Sequence, residues 1–195
     1  MDETPLKSDE EIARARVEPP EVLDAPITLA EYDPSWPALY EREAARIRAS
    51  LGDYALLIEH VGSTAVPRLA AKPRIDILLA VADSSDEATY LPALEDVGYV
   101  LHIREPGWHE HRAFRSPDTD LNVHVFSEGC VEIERMLQFR DHLRRNEADR
   151  LLYERTKRVL AQRTWKYSQH YADAKTTIIE EVLGRAGNAR GRGLE

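Results

Sequence analysis

Between positions 36 and 51 the apolar residues Leu39, Tyr40, Ile47 and Leu51 recur among charges at near-helical spacing, which predicts an amphipathic helix. The preceding Asp33-Pro34-Ser35-Trp36-Pro37 supplies a turn, with Pro37 in the first helical turn, where a missing N–H has no helical partner. Two apolar runs, 54–60 with Leu56-Leu57-Ile58 and 74–81 with its near-continuous apolar content, predict buried strands. Between them 63–69 predicts a short helix whose N-terminus faces Gly62-Ser63. A helix over 85–97 is expected to end at Gly98, a natural left-handed cap. Strands are predicted over 99–104 and 113–116, joined by the segment 105–111. Along 121–126 strict alternation puts Leu121, Val123 and Val125 on one face and Asn122, His124 and Phe126 on the other. From Ile133 onward the pattern is helical, over 133–146, 147–161 and 173–183.

This order predicts an α/β (α+β) fold, a mixed β-sheet covered by helices, with a helical C-terminal third packed on the same core and a cleft between the two. Residues 1–25 are rich in Glu, Asp, Arg and Pro and read as a flexible arm, with a short helix over 9–17. One domain over 26–186 follows, beginning with the apolar Ile27-Thr28-Leu29 as an edge strand or surface segment, and a flexible Gly/Arg-rich tail occupies 187–195.

Composition narrows the function classes. A net charge of −9 over 195 residues disfavours a general nucleic-acid coat, which needs clustered Lys and Arg, while leaving room for a local basic groove. The lone Cys130 can form no internal disulfide. No apolar run approaches the roughly 18 residues of a membrane span, and the N-terminus lacks the basic start and apolar core of a signal peptide. A cytoplasmic location and no membrane partner are expected.

Candidate chemistry gathers around one stretch. Gly62 and Ser63 can bring bare backbone N–H groups and a hydroxyl close to a phosphate. Asp76 stands in an otherwise apolar strand, where a carboxylate must be hydrogen-bonded, paired or metal-bound. His124 shares a strand face with Asn122 and offers a metal ligand or a general base near neutral pH, or a histidine hydrogen-bonded within a half-buried face. His60 either shapes the phosphate turn or anchors it through backbone hydrogen bonds. Lys72, Arg112 and Lys175 are candidate phosphate contacts, with Arg68, Arg74, Arg104, Arg115 and Arg140 as further cations for which a solvated surface position is the default. Trp36 is expected to staple the first helix to the body, and Trp108 to face a ligand.

Several segments resemble the GrpB-like family of the nucleotidyltransferase superfamily: Glu31 through Pro37, His60 through Asp76, Asn122-Val123-His124-Val125, Phe139-Arg140-Asp141, and Tyr171-Ala172-Asp173-Ala174-Lys175. The resemblance spans about 27–185 and implies a nucleotidyltransferase-like fold that binds a nucleoside triphosphate with Mg and transfers a nucleotidyl or phosphoryl group to a small acceptor. It implies Asp76 as a metal ligand and Lys175 closing over phosphate, with His124 the leading replacement for the missing second acid on the strand-face reading above. The superfamily commonly places a second carboxylate two residues after the first; here that residue is Leu78, which cannot bind metal. A catalytically incomplete module that binds or senses a nucleotide or phospho-metabolite is the alternative, and an interaction protein docking through 147–161 a third. Arg68 stands where the family's Val-Pro-Gly-Leu pattern has glycine.

Overall fold

A computed structural model describes residues 5–191, with side chains to Gly187. Five strands form one sheet in the order β1-β2-β5-β4-β3, with β1 at Leu57–Val61, β2 at Ile75–Val81, β3 at Val100–Glu105, β4 at His111–Arg115 and β5 at Leu121–Ser127. Only the central β2/β5 pair is parallel; the other pairs are antiparallel, which makes the sheet mixed.

Alternation along β2 and β5 decides which face does what. Ile75, Ile77, Leu79 and Val81, with Leu121, Val123 and Val125, point into the main core beneath α2 (Trp36–Leu51) and α3 (Leu91–Asp96). Trp36 is buried there and meets Tyr32 edge-on, as a staple for the helix. On the opposite face Leu78, Ala80, Phe126 and Val61 pack under Ile133 of α4 (Val131–Arg145). Toward the C-terminal ends of neither strand but at the start of β2 and β5, this second face turns polar, with Asp76 beside Asn122 and His124 beside Leu78. Of the remaining helices, α5 (Glu147–Ala161) and α6 (Ser168–Asp173) contribute to the wall facing these polar residues, and α7 (Thr176–Gly191) packs on α4 and α5. No described helix is long and apolar enough to cross a membrane.

Three local departures from the sequence reading have simple causes. The helix expected over 63–69 is one 3-10 turn, Ser63–Ala65, because Val66 precedes Pro67 and is forced into extended geometry (φ −107°, ψ 110°). The helix over 85–97 is split into a 3-10 turn, Glu87–Thr89, and α3, which restarts with Pro92 in its first turn. The connection after β3 is short, since His109 and Glu110 adopt left-handed backbone (φ 54° and 50°) and His111 already belongs to β4.

The stretch expected as a flexible arm is, from residue 5 on, laid against the body; residues 1–4 and 192–195 lie outside the described residues. It forms α1 (Asp9–Ala15), closed by a Ser8/Glu11 capping box, and buries Ile12 as an apolar anchor. Polar contacts make up for its sparse apolar content: the Val17 amide donates to the His102 carbonyl (3.2 Å) and the Leu23 amide to that of Lys166 (2.7 Å), while Lys7 pairs with Glu105 and Lys166 with Asp9. Residues 187–191 continue α7.

Candidate functional site

A cleft of about 280 Å³ opens between the polar sheet face and the C-terminal helices, and Gly62, Ser63, Lys72, Asp76, His124 and Lys175 all line it. These six expected residues come from four separate parts of the chain. His60 and Arg112, expected with them, do not reach it. His60 pairs with Ile77 and therefore faces the α2 side, where it stacks on Tyr40 (4.8 Å) and its Nε2 meets Thr64 Oγ1 (3.0 Å). Arg112 pairs with Val125 on that same side, and its guanidinium is taken up by Glu87 (2.5 Å) and Glu110 (3.2 Å). Trp108 packs edge-on against His111 and Phe126 and is not part of the cleft lining.

Asp76 is the acidic floor of the cleft. Its Oδ1 accepts from Asn122 Nδ2 (3.1 Å) and lies 3.5 Å from His124 Nε2. Burial pushes its carboxyl up, but His124, the Asn122 amide and the Lys175 ammonium outweigh that, and its pKa falls below the ordinary carboxylate value. Gly62 explains itself against this group: its φ is +69°, and a Cβ there would stand 2.5 Å from Asp76 Oδ2. The glycine is thus needed to seat the carboxylate, whatever it offers a ligand.

Cations surround this single acid. Ser63 Oγ accepts from Lys157 Nζ (3.0 Å), which also donates to the Ala70 carbonyl (2.5 Å) and sits over the Tyr153 ring at 4.8 Å. Lys157 is only 1% exposed, and burial lowers its pKa well below the usual lysine value. Lys175 lies in the break between α6 and α7 with its ammonium 4.6 Å from the Tyr171 ring centroid, so the Tyr171–Lys175 pair meets across a helix end. Burial lowers the pKa values of Lys175 and Lys72 too. Arg74 is held by Asp120, whereas among the described residues Lys72, Arg115 and Lys175 have no ion-pair partner. Arg16 arrives from the arm and bonds His102 Nδ1 (3.2 Å). Among the described residues the buried atoms His102 Nε2 and Tyr171 Oη, both belonging to cleft-lining residues, have no hydrogen-bond partner.

Arg16, His102 and Lys157 are site residues that sequence reasoning missed. Lys157 had a signal: it falls on the buried stripe Arg150, Tyr153, Lys157, Leu160 of α5, where a solvated lysine has no place. His102 had none, because it is inserted by a bulge between Leu101 and Ile103.

The donor set does not fit a resident magnesium ion. Among the described residues no group of three His, Cys, Asp or Glu side chains could hold a metal. Asp76 and His124 make a pair only, and the neighbouring position is Leu78, sealed in the core at 0% exposure. Magnesium demands near-octahedral oxygen ligation, which one carboxylate among ammonium and guanidinium groups does not provide.

Two buried histidines and the half-buried His102 make the fold acid-sensitive. Burial lowers His60 and His111 to about 4, each from 6.5, and pushes His102 lower still, to about 3. With folded pKa values depressed, these groups favour folding fully above pH 6.5, and that stability is lost as pH falls through 6.5 toward 4, because the unfolded chain binds more protons there. His60→Phe keeps the stack on Tyr40 and removes one titrating group. Its unfolding midpoint is expected to fall less steeply between pH 7 and 4.5 than that of the parent, the difference being on the order of 3 kcal/mol at the acid end; parallel slopes would refute the assignment.

The family described as GrpB protein matches residues 26–185. A UPF0157 protein of Halalkalibacterium halodurans is 59% identical over 92% of this chain and 92% of its own length. The crystal structure of the conserved protein GrpB from Enterococcus faecalis superposes with a TM-score of 0.70 at 34% identity, covering 81% of this chain and 98% of that one. A protein of Mycolicibacterium paratuberculosis named dephospho-CoA kinase is 32% identical over 85% of this chain, which spans 47% of that relative. The family match begins at residue 26, so Arg16 and the docked arm lie outside it.

Proposed function

The chain belongs to the GrpB family, and from that premise we propose that its cleft binds a nucleoside triphosphate, or another small molecule carrying several phosphates, through cationic side chains rather than through a resident metal. Charge is the observation that supports this most. Arg16, Lys72, Arg74, Arg115, Lys157 and Lys175 line one cleft around a single carboxylate, in a protein whose net charge is −9. Desolvated cations without carboxylate partners are unfavourable by themselves and gain most from an anion. Ser63, whose oxygen accepts from Lys157 and whose hydroxyl also meets Tyr153, can turn its proton to a phosphate oxygen that enters the cleft. The Gly62-Ser63 turn and Asp76 on the following strand suit the nucleotidyltransferase-like reading, and the relative named dephospho-CoA kinase, half-spanned by this chain, suits a phosphorylated ligand.

A second reading goes further, to transfer of a nucleotidyl or phosphoryl group to a small acceptor. What favours it is that His124 and Asp76 stand 3.5 Å apart on the same cleft floor as these cations. Binding is tested by calorimetric titration with ATP, once in EDTA and once with magnesium. Binding in EDTA that weakens as salt rises is the expected result; absence of heat in both conditions would overturn the proposal, and strict dependence on magnesium would overturn its metal-free form.

A further inference from the structure

A line of side chains runs from the arm to the cleft floor, and phosphate binding alone gives it no purpose. Lys7 Nζ donates to Glu105 Oε1 (2.8 Å), and Glu105 Oε2 faces His111 Nδ1 (2.8 Å). His111 Nε2 faces His124 Nδ1 (3.1 Å), and His124 Nε2 stands 3.5 Å from Asp76 Oδ1. His111 is 3% exposed and stacks on both Phe126 (4.8 Å) and His124 (5.3 Å), so neither imidazole can turn freely.

Each contact fixes the polarity of the next. An ionised carboxylate only accepts, so His111 must carry its proton on Nδ1. Burial holds His111 neutral against the pull of Glu105, and Glu105 is an ionised acceptor, since His111 and Lys7 outweigh the effect of its burial. A neutral imidazole protonated on Nδ1 has only a lone pair on Nε2. His124 must therefore donate from Nδ1, and every proton it takes up or gives away passes through Nε2, at the cleft.

We propose that Glu105 and His111 are positioning residues that hold His124 with its proton on Nδ1, so that His124 serves through Nε2 as the general base for a hydroxyl group of an acceptor bound beside the phosphorylated donor. The proposal rests on the phosphate reading of the cleft and adds its chemistry. The acceptor's O–H bond breaks and its proton passes to Nε2. The oxygen's electron pair forms a new O–P bond to a phosphorus of the nucleoside triphosphate, and the P–O bond to the departing phosphates breaks, its electron pair leaving on their oxygen among the ammonium groups. The imidazolium that results donates to Asp76.

Long-range proton–nitrogen NMR of the ligand-free, nitrogen-15-labelled protein at pH 7.5 tests the tautomer without reference to any ligand. His124 is expected to be protonated on Nδ1, with Nε2 bare or exchanging. In His111→Phe, whose ring keeps the stack on Phe126, that preference is expected to vanish and the two tautomers to mix. A parent protein whose His124 carries its proton on Nε2 with Nδ1 bare would overturn the proposal even if the variant fails to fold. Failure of the phosphate reading shows instead as absent heat on ATP titration, which leaves the tautomer result standing as a separate finding.

Discussion

Leu78→Asp, which restores the paired-carboxylate spacing of the resembled superfamily, is expected to unfold the protein or nearly so, and not to create a metal site. Leu78 is fully buried against Val61, Ala80, Phe126 and Ile133. Its strand neighbours are Glu59 and His124, and Glu59 is already engaged by Arg140 (2.6 Å). A carboxylate there would be buried without a cation of its own, and the lost leucine would leave a void; the two effects together amount to about 4 kcal/mol or more. Against a total stability of about 5–15 kcal/mol, that removes most or all of the folded population. Urea denaturation measures it, with Leu78→Met as a control expected to lose less than about 1.5 kcal/mol. A Leu78→Asp protein of near-parental stability that gains magnesium affinity would mean that this position opens to the cleft.

Much of this architecture is legible in the chain because periodicity and burial agree. The helix read over 36–51 coincides with α2, and the alternation along 121–126 divides β5 into its core and cleft faces as observed. His60 is expected at the phosphate turn by nearness in sequence and Arg112 as one cation among several, but a strand residue's face depends on register: Val61, not His60, lies opposite Asp76, and Arg112 pairs with core-facing Val125. Arg16 was illegible for another reason. Its segment holds to the body by polar contacts with residues 86 to 166 positions away, and no local pattern records such pairing. Arg68 is a partial case: the glycine it replaces in the family pattern is explained by its left-handed backbone (φ 65°), and its side chain lines a groove on the other side of β1 with Arg140 and Arg144 instead of the cleft.

Lys157→Met is expected to weaken binding of inorganic triphosphate by roughly ten- to a hundredfold, the range of a charge-assisted hydrogen bond worth about 1.5–3 kcal/mol, while changing stability by less than about 1 kcal/mol. The two effects separate because the lysine is ill at ease in the empty cleft. Its ammonium is desolvated and is met by the Ser63 hydroxyl, the Ala70 carbonyl and the Tyr153 ring, with Glu154 attracting it from further away. Methionine fills similar volume and relieves the desolvation, which offsets the two lost hydrogen bonds. Adding Lys175→Met removes a second cation, which sits over the Tyr171 ring and attracts the Asp76 carboxylate, and the double variant is expected to show no measurable heat. The depressed lysine pKa values carry a further sign: an entering anion favours the charged forms and raises those values, so binding takes up protons and weakens as pH rises. Calorimetry in buffers of different ionisation enthalpy reads that uptake directly. If both variants bind triphosphate as tightly as the parent, the phosphates must sit elsewhere, and the groove of Arg68, Arg140 and Arg144 becomes the place to substitute next.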